Sequence, residues 1–247
     1  MKEFHCVLGN KGGVGKSVVA SWLIQHARSV GNDVLGIECD QSNRTLTRYE
    51  RLRTERLDLL DREDQIDRRR FDSLIEMLVA DEERFVVMDN GQASFGPLSR
   101  YMTECRAFDI LRESGRECFV HAVVTGGQLG ASTLAGFDKT VIGLGGDAHV
   151  VVWHNEHFGL VDDEEYQDVV TRSHTRVLGP VRLLLWSKPF EDDVQDMLKR
   201  FLTFEEAIAS SHFGLMNRQR LRIVRDHVFG ALQQSLAMLN QEAVHAE

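Results

Sequence analysis

Short apolar runs alternate with longer mixed stretches along this chain. Residues 4–8 and 34–39 are apolar segments of strand length, and what lies between them predicts a loop over 9–15 and a helix over about 16–30. Gly31-Asn32-Asp33 supplies the turn that ends this helix. Strand, helix and strand at that spacing form a βαβ unit, which requires parallel pairing and a right-handed crossover. Further strand-length runs lie at 84–89, 118–125, 149–153 and 181–186, with helical patterns at about 70–80, 108–115, 128–143 and 162–173. The alternation predicts an α/β fold: a doubly wound, mostly parallel sheet with helices on both faces. Leu221, Val224, Val228, Leu232, Leu236 and Leu239 then recur at three- and four-residue steps, as one face of a long C-terminal helix should.

No repeat and no Pro/Ser-rich linker divides the pattern. With three prolines in 247 residues, a single domain over 1–247 is expected, with a helical region over 203–243. Residues 44–70 stand apart, because nine arginines and seven acids crowd into 27 positions. Such a run predicts a solvated helical face laced with ion pairs, the alternative being a partner-binding insertion.

Composition adds limits. A hydrophobic share of 43% with 27% charged residues is that of a folded chain. At this length roughly 70–75% of the unfolded surface is buried, so neither a disulfide nor a metal is needed for a core. The 29 Lys+Arg against 38 Asp+Glu leave a net charge of −9, which excludes a surface that coats nucleic acid or anionic lipid. A local basic cluster remains at Arg218, Arg220, Arg222 and Arg225, so DNA contact is expected to be weak or indirect. The first residues do not form a signal peptide and no run approaches 18 apolar residues, so a cytoplasmic protein without membrane insertion is expected. Cys6, Cys39, Cys105 and Cys118 lack metal-ligand spacing, and the three in apolar runs read as small buried hydrophobes. His149, His154 and His157 straddle a strand end and should face different ways, which argues against zinc.

Candidate chemistry starts at Gly9-Asn10-Lys11-Gly12-Gly13-Val14-Gly15-Lys16-Ser17, which follows a strand and opens a helix. That context is the one a phosphate-binding loop requires. Its glycines let successive backbone N–H groups converge on phosphate oxygens, and the helix N-terminus adds partial positive charge. Asn10, Lys11, Gly12, Gly13, Val14, Gly15, Lys16 and Ser17 are thus the nucleotide-binding candidates, with Lys16 on the β- and γ-phosphates and Ser17 on Mg²⁺. Asn10 replaces the first glycine of the usual pattern; asparagine tolerates left-handed backbone better than other non-glycine residues. Residues 85–91 form an apolar strand ending in Asp89, a carboxylate placed to hold Mg²⁺ through water, and Gly91 and Gly96 would let the following loop move.

The string Lys11-Gly-Gly-Val-Gly-Lys16-Ser17 resembles the deviant Walker A motif of ParA/MinD-type ATPases. The resemblance implies ATP and Mg²⁺ as cofactors and a homodimer closed over ATP, with Lys11 crossing to the partner's nucleotide. It makes Lys11, Lys16 and Asp40 the catalytic candidates, Asp40 orienting the attacking water and also contacting the metal shell. Glu38 and Gln41 stand where that family usually has Asp and Pro. By the same resemblance Asn155, at a late strand end, contacts the base, with Pro189 near it; no guanine-reading string is present.

Asp89-Asn90-Gly91 with Ser94-Phe95, residues 123–128 and residues 218–225 are similar to TraL-type ATPases of plasmid conjugal transfer. That likeness implies a slow, dimer-dependent ATPase serving conjugation, with a relaxosome or secretion component as partner. The alternatives are a non-hydrolysing ATP-gated recruitment module and a plasmid partition or positioning ATPase. With the loop starting at residue 9 and no basic amphipathic pattern in residues 241–247, neither an N-terminal DNA-binding domain nor a membrane-anchoring tail is expected.

Overall fold

The computed structural model describes residues 2–40, 43–59, 67–80, 84–144 and 148–243, the side chains as far as residue 239. Gln41 and Ser42 lie outside the described residues. Strand β1 (Glu3–Leu8), helix α1 (Lys16–Ser29) and strand β2 (Val34–Glu38) form the expected first unit. Then follow β3 (Glu55–Arg56), α2 (Arg68–Ala80), β4 (Phe85–Asp89), α3 (Gln92–Glu104), α4 (Ala107–Glu113) and β5 (Glu117–Thr125). The remainder is α5 (Gly130–Leu144), β6 (His149–Asn155), α6 (Asp163–Arg172), β7 (Val177–Leu183), α7 (Lys188–Lys199), α8 (Phe204–Ala209) and α9 (Leu215–Ala243).

Seven strands pair in the order β3-β2-β4-β1-β5-β6-β7, every pair parallel. Both faces are covered, so the strands read as continuous apolar runs. In β1, Phe4, Cys6 and Leu8 point into the layer packed by α2–α6, while Val7 points into the one packed by α1 and α7–α9. Cys6, Cys39 and Cys118 are buried and Cys105 is exposed. β1 sits mid-sheet with β4 on one side and β5 on the other. The loop leaving β1 therefore opens where the strand order reverses, the usual ligand position in an open α/β sheet.

One polar chain crosses this apolar interior. Trp153 Nε1 donates to His121 Nδ1 at 2.9 Å, and His121 Nε2 lies 2.8 Å from His5 Nδ1. His5 Nε2 is 2.8 Å from Glu3 Oε2. The indole can only donate, which makes His121 Nδ1 an acceptor and fixes the order: each ring donates through Nε2, ending on the Glu3 carboxylate. His5 is also stacked between Phe85 and Phe119, with ring centroids at 4.3 and 4.5 Å.

Three expectations need correction. Residues 44–59 are not a helical face: two single 3₁₀ turns and the edge strand β3 replace it, because Leu46, Tyr49, Leu52 and Leu59 turn inward. The last strand ends at Leu183 and not at 186; Leu185 is exposed, and Leu184 and Trp186 line a cleft instead of pairing. Gly96 lies inside α3 and so does not serve as a loop hinge.

Candidate functional site

The loop between β1 and α1 is built by backbone conformation. Gly13 and Gly15 have φ of +73° and +101°, a region that favours glycine. Gly15 N-caps α1 without any side-chain hydrogen bond, so the first N–H groups of the helix are left for a ligand. Asn10 is not among the positive-φ residues. Its place is explained by contact: its amide packs on Gly136 of α5, and Nδ2 donates to Ser132 O at 3.4 Å.

Lys16 is 7% exposed and donates through Nζ to the carbonyl of Lys11 across the loop. Burial lowers its pKa, while the carboxylates of Asp89 and Asp40 work in the opposite direction. Lys11 is half-buried, and among the described residues no carboxylate pairs with its ammonium. Thus Lys16 is held in place by the loop's own backbone, next to two acids from different strands.

Asp89 is 1% exposed, and among the described residues neither carboxylate oxygen has a hydrogen-bond partner of acceptable geometry. Burial pushes its pKa up to about 7, with Glu38 adding to the rise; Ser17 and Lys16 pull the other way. An orphaned carboxylate at a strand end is costly unless a cation completes it. With the Ser17 hydroxyl and Lys16 beside it, Asp89 has the donor chemistry for a Mg²⁺ site.

Asp40 lies at the end of β2, half-buried, and accepts from Asn43 N at 3.1 Å and Asn43 Nδ2 at 3.3 Å. A Cβ on Gly91 would come within 2.9 Å of the Asp40 carboxyl carbon and 3.1 Å of its Cα. Gly91 is therefore needed for space and not for an unusual φ. Glu38, whose role the sequence leaves open, has a structural one. Its buried carboxylate accepts from Leu46 N at 2.6 Å, Thr47 N at 3.3 Å and Asp40 N at 3.2 Å, tying down both ends of the loop that carries Asp40.

Asn155 stands at the end of β6 against the phosphate loop. Its Nδ2 donates to Val14 O at 3.0 Å, and its Oδ1 accepts from His157 N at 3.2 Å. One amide hydrogen and one lone pair remain for a ligand. Beside it opens a cleft of about 240 Å³ whose walls include Gly15, Trp22, His157, Phe158 and Trp186. Trp186 stacks on Phe190 at 5.1 Å. Pro189 occupies the first turn of α7, next to this wall. The three histidines of this region diverge: His149 pairs with Glu117, His154 meets Tyr166 edge-on, and His157 pairs with Glu191. In the α9 arginine cluster, Arg220 is bound to Asp193 and Arg225 to Asp226.

Sequence reasoning did not find Gln92. A Cβ on Gly12 would meet Gln92 Oε1 at 3.0 Å, so this amide faces the phosphate loop from the start of α3. Its position three residues after Asp89 was the available signal.

An Asp89→Asn substitution separates fold from function. A carboxylate whose folded pKa is raised costs stability progressively as pH climbs from its unfolded value near 4 through about 7. The metal-free variant is therefore expected to be more stable than the parent at pH 8, on the order of 4 kcal/mol, with the gain vanishing near pH 4. Urea denaturation at both pH values measures this; a variant less stable at pH 8 would contradict the orphaned-carboxylate description.

No family model matches the chain. Two curated relatives, both called Protein TraL and both from Escherichia coli, are 36% identical over 243 residues and 37% identical over 237. These alignments cover 96% and 94% of this chain and 100% and 98% of the relatives. Among solved structures, the MinC:MinD cell division protein complex and the MinD cell division protein, both of Aquifex aeolicus, match with a TM-score of 0.51 at 14% identity. They cover 92% of this chain and 96% and 97% of theirs, a likeness of fold. Phosphate loop, parallel sheet and near-complete alignment agree: the chain belongs to the TraL family and has a ParA/MinD-type P-loop fold.

Proposed function

We propose that this protein is a Mg²⁺-dependent ATP-binding and ATP-hydrolysing switch that forms a homodimer over the nucleotide and acts in conjugal plasmid transfer. The observation that carries the nucleotide reading is Asp89, a buried carboxylate without a well-formed hydrogen bond among the described residues, set beside Ser17 and Lys16 at the bare N-terminus of α1. Bound ATP would supply a phosphoanhydride to be cleaved by water, and Mg²⁺ would offset its charge. The chain's own residues then have separable tasks. The N–H groups of Gly12–Ser17 hold phosphate oxygens, and Lys16 balances their charge from a fixed position. Ser17 and Asp89 would hold the metal, which would supply positive charge to the phosphates. Asp40 orients the attacking water at its carboxylate, and the Gly91 contact keeps it in line with the Asp89 loop. The cleft beside Asn155 receives the base, where Trp22, Phe158 and Trp186 exclude water.

Lys11 carries the dimer reading. An ammonium at the loop mouth that no carboxylate among the described residues pairs is suited to charge that develops on a phosphate held by a second copy, as an arginine finger is. Lys11→Ala is expected to bind ATP within about threefold of the parent while losing turnover by roughly 10³-fold, the scale of such fingers. Phosphate release and light scattering with ATP and with ADP check this. Parent-level turnover, or a dimer that forms equally with ADP, would sink the trans-acting role. The role in conjugation rests on the TraL kinship and is tested by mating frequency with Lys16→Ala in place of the parent.

A second reading is a clamp that closes on ATP with negligible hydrolysis. Glu38 favours it, because a carboxylate spent on three backbone N–H groups is not free to assist water. Transfer sustained by Asp40→Ala would select this reading over the first.

A further inference from the structure

At the far end of α1 from the phosphate loop lies a second cleft, of about 740 Å³, between α1, β2, the turn before β3 and α9. Five arginines line it: Arg28, Arg51, Arg53, Arg84 and Arg225, against the carboxylates of Asp33, Glu55 and Glu205. In a chain with an excess of nine acids, a cation-rich cavity is the exception that needs a reason. The fold builds it deliberately. Arg28 is held by three carbonyls, donating to Arg51 O at 3.1 Å, Leu52 O at 2.7 Å and Val34 O at 3.4 Å. That fixes its guanidinium beside Arg53, which presents itself from a left-handed backbone position at φ +48°. Burial, then the neighbouring Arg53 and Arg51 charges, depress the pKa of Arg28. Among the described residues, Arg51 and Arg53 have no carboxylate within ion-pair distance, and both are exposed. Phe204 and Phe229 give the cleft an apolar floor.

We propose that this cleft is the docking site for an acidic peptide segment of a partner protein, its carboxylates taken by Arg28, Arg51 and Arg53 and an apolar side chain resting on Phe229. Guanidinium forks match carboxylates in bidentate geometry, which Arg51 and Arg53 can offer, while Arg28, already oriented by the three carbonyls, adds its charge and its remaining N–H donors at little ordering cost. The three carboxylates on the wall disfavour a nucleic-acid strand, whose charge is continuous, and suit a peptide, whose acids are spaced. The same wall suits a partner that also carries a lysine. Both α1 and β2 run from this cleft to the nucleotide site, to Lys16 and to the Glu38–Asp40 corner respectively. At 1.5 Å per residue, α1 puts the two about 20 Å apart.

The proposal does not depend on nucleotide binding and is tested on the full chain by fluorescence anisotropy with a fluorescein-labelled deca-glutamate peptide. Saturable binding at low salt is expected, weakened about tenfold or more by Arg51→Glu/Arg53→Glu and by added salt. Both side chains are exposed, so the double variant should keep the parent's circular dichroism and melting temperature. Arg51→Lys/Arg53→Lys should retain part of the binding through charge alone. Absence of saturable peptide binding, or binding unchanged in the charge-reversed variant, overturns the proposal. So does a single-stranded DNA of similar length that binds more tightly than the peptide and is lost in the same variant.

Discussion

Lys16→Ala is expected to weaken ATP binding by about 100-fold or more and to remove detectable turnover. The size follows from where the ammonium sits. Lys16 is buried, its pKa is already lowered by that burial, and it is fixed by the Lys11 carbonyl. A cation desolvated before the ligand arrives meets phosphate without paying again for dehydration, so a charge-assisted contact there contributes at the upper end of about 1.5–3 kcal/mol. Its removal also leaves Asp89 facing phosphate oxygens with less compensation, because Lys16 is one of the two groups that favour the ionised carboxylate. Titration of a fluorescent ATP analogue, with and without Mg²⁺, gives the measurement. A Kd within threefold of the parent would remove the phosphate-loop reading of residues 10–17, whatever the activity of the preparation.

The second large effect is on stability in acid. In the Trp153–His121–His5–Glu3 chain both imidazoles are neutral, since each has one acceptor and one donor nitrogen committed. Burial lowers the pKa of His5 to about 3 and that of His121 well below its usual value. An unfolded histidine takes up a proton near pH 6.5, so the stabilisation is complete above that pH and drains away as pH falls towards the folded pKa. Each ring costs about 1.4 kcal/mol per pH unit, so the pair removes roughly 4 kcal/mol between pH 6.5 and 5. That is a large part of a typical domain's 5–15 kcal/mol. Asp89, whose pKa is raised, works in the opposite direction between about pH 4 and 7 and partly masks the trend. Chemical denaturation of the parent and of His5→Leu/His121→Leu at pH 6.5 and 5 isolates the pair: the variant's pH slope should be shallower by about 2–3 kcal/mol per unit. Nitrogen chemical shifts of the two rings in the parent should stay neutral at pH 5. An imidazolium signal there, or an unchanged slope, would rule the network out as the cause.

Much of this architecture is legible in the chain. Apolar runs of five to eight residues mark the inner strands because the sheet is buried on both faces, and the glycine pattern at 12–15 announces its own backbone geometry. What escapes is decided by distant partners. Nothing near Glu38 says that its carboxylate will meet the N–H groups of Leu46 and Thr47, eight and nine residues on. The arginine-rich stretch hides Leu46, Tyr49 and Leu52 among charges, so its charge pattern suggests a solvated face where the backbone turns inward. Helix α3 carries Gly96 and Pro97, two poor helix formers, and this lowers its helical propensity as read from sequence. Gln92 is faint for a different reason: beyond its place three residues after Asp89, its neighbour Gly12 is eighty residues away and offers only an absence of side chain.

The contact between Asn10 and Gly136 joins the mouth of the phosphate loop to α5 across the top of β5. A Cβ at position 136 would stand 2.4 Å from the Asn10 side chain, closer than atoms tolerate. The two positions are therefore a single exchangeable unit. Restoring the commoner glycine at residue 10 empties a pocket that alanine at residue 136 would refill, whereas either change alone leaves a void or a collision. A loop with glycine at residue 10 would leave room for a side chain at residue 136, so grafting such a loop onto this chain requires moving both residues together.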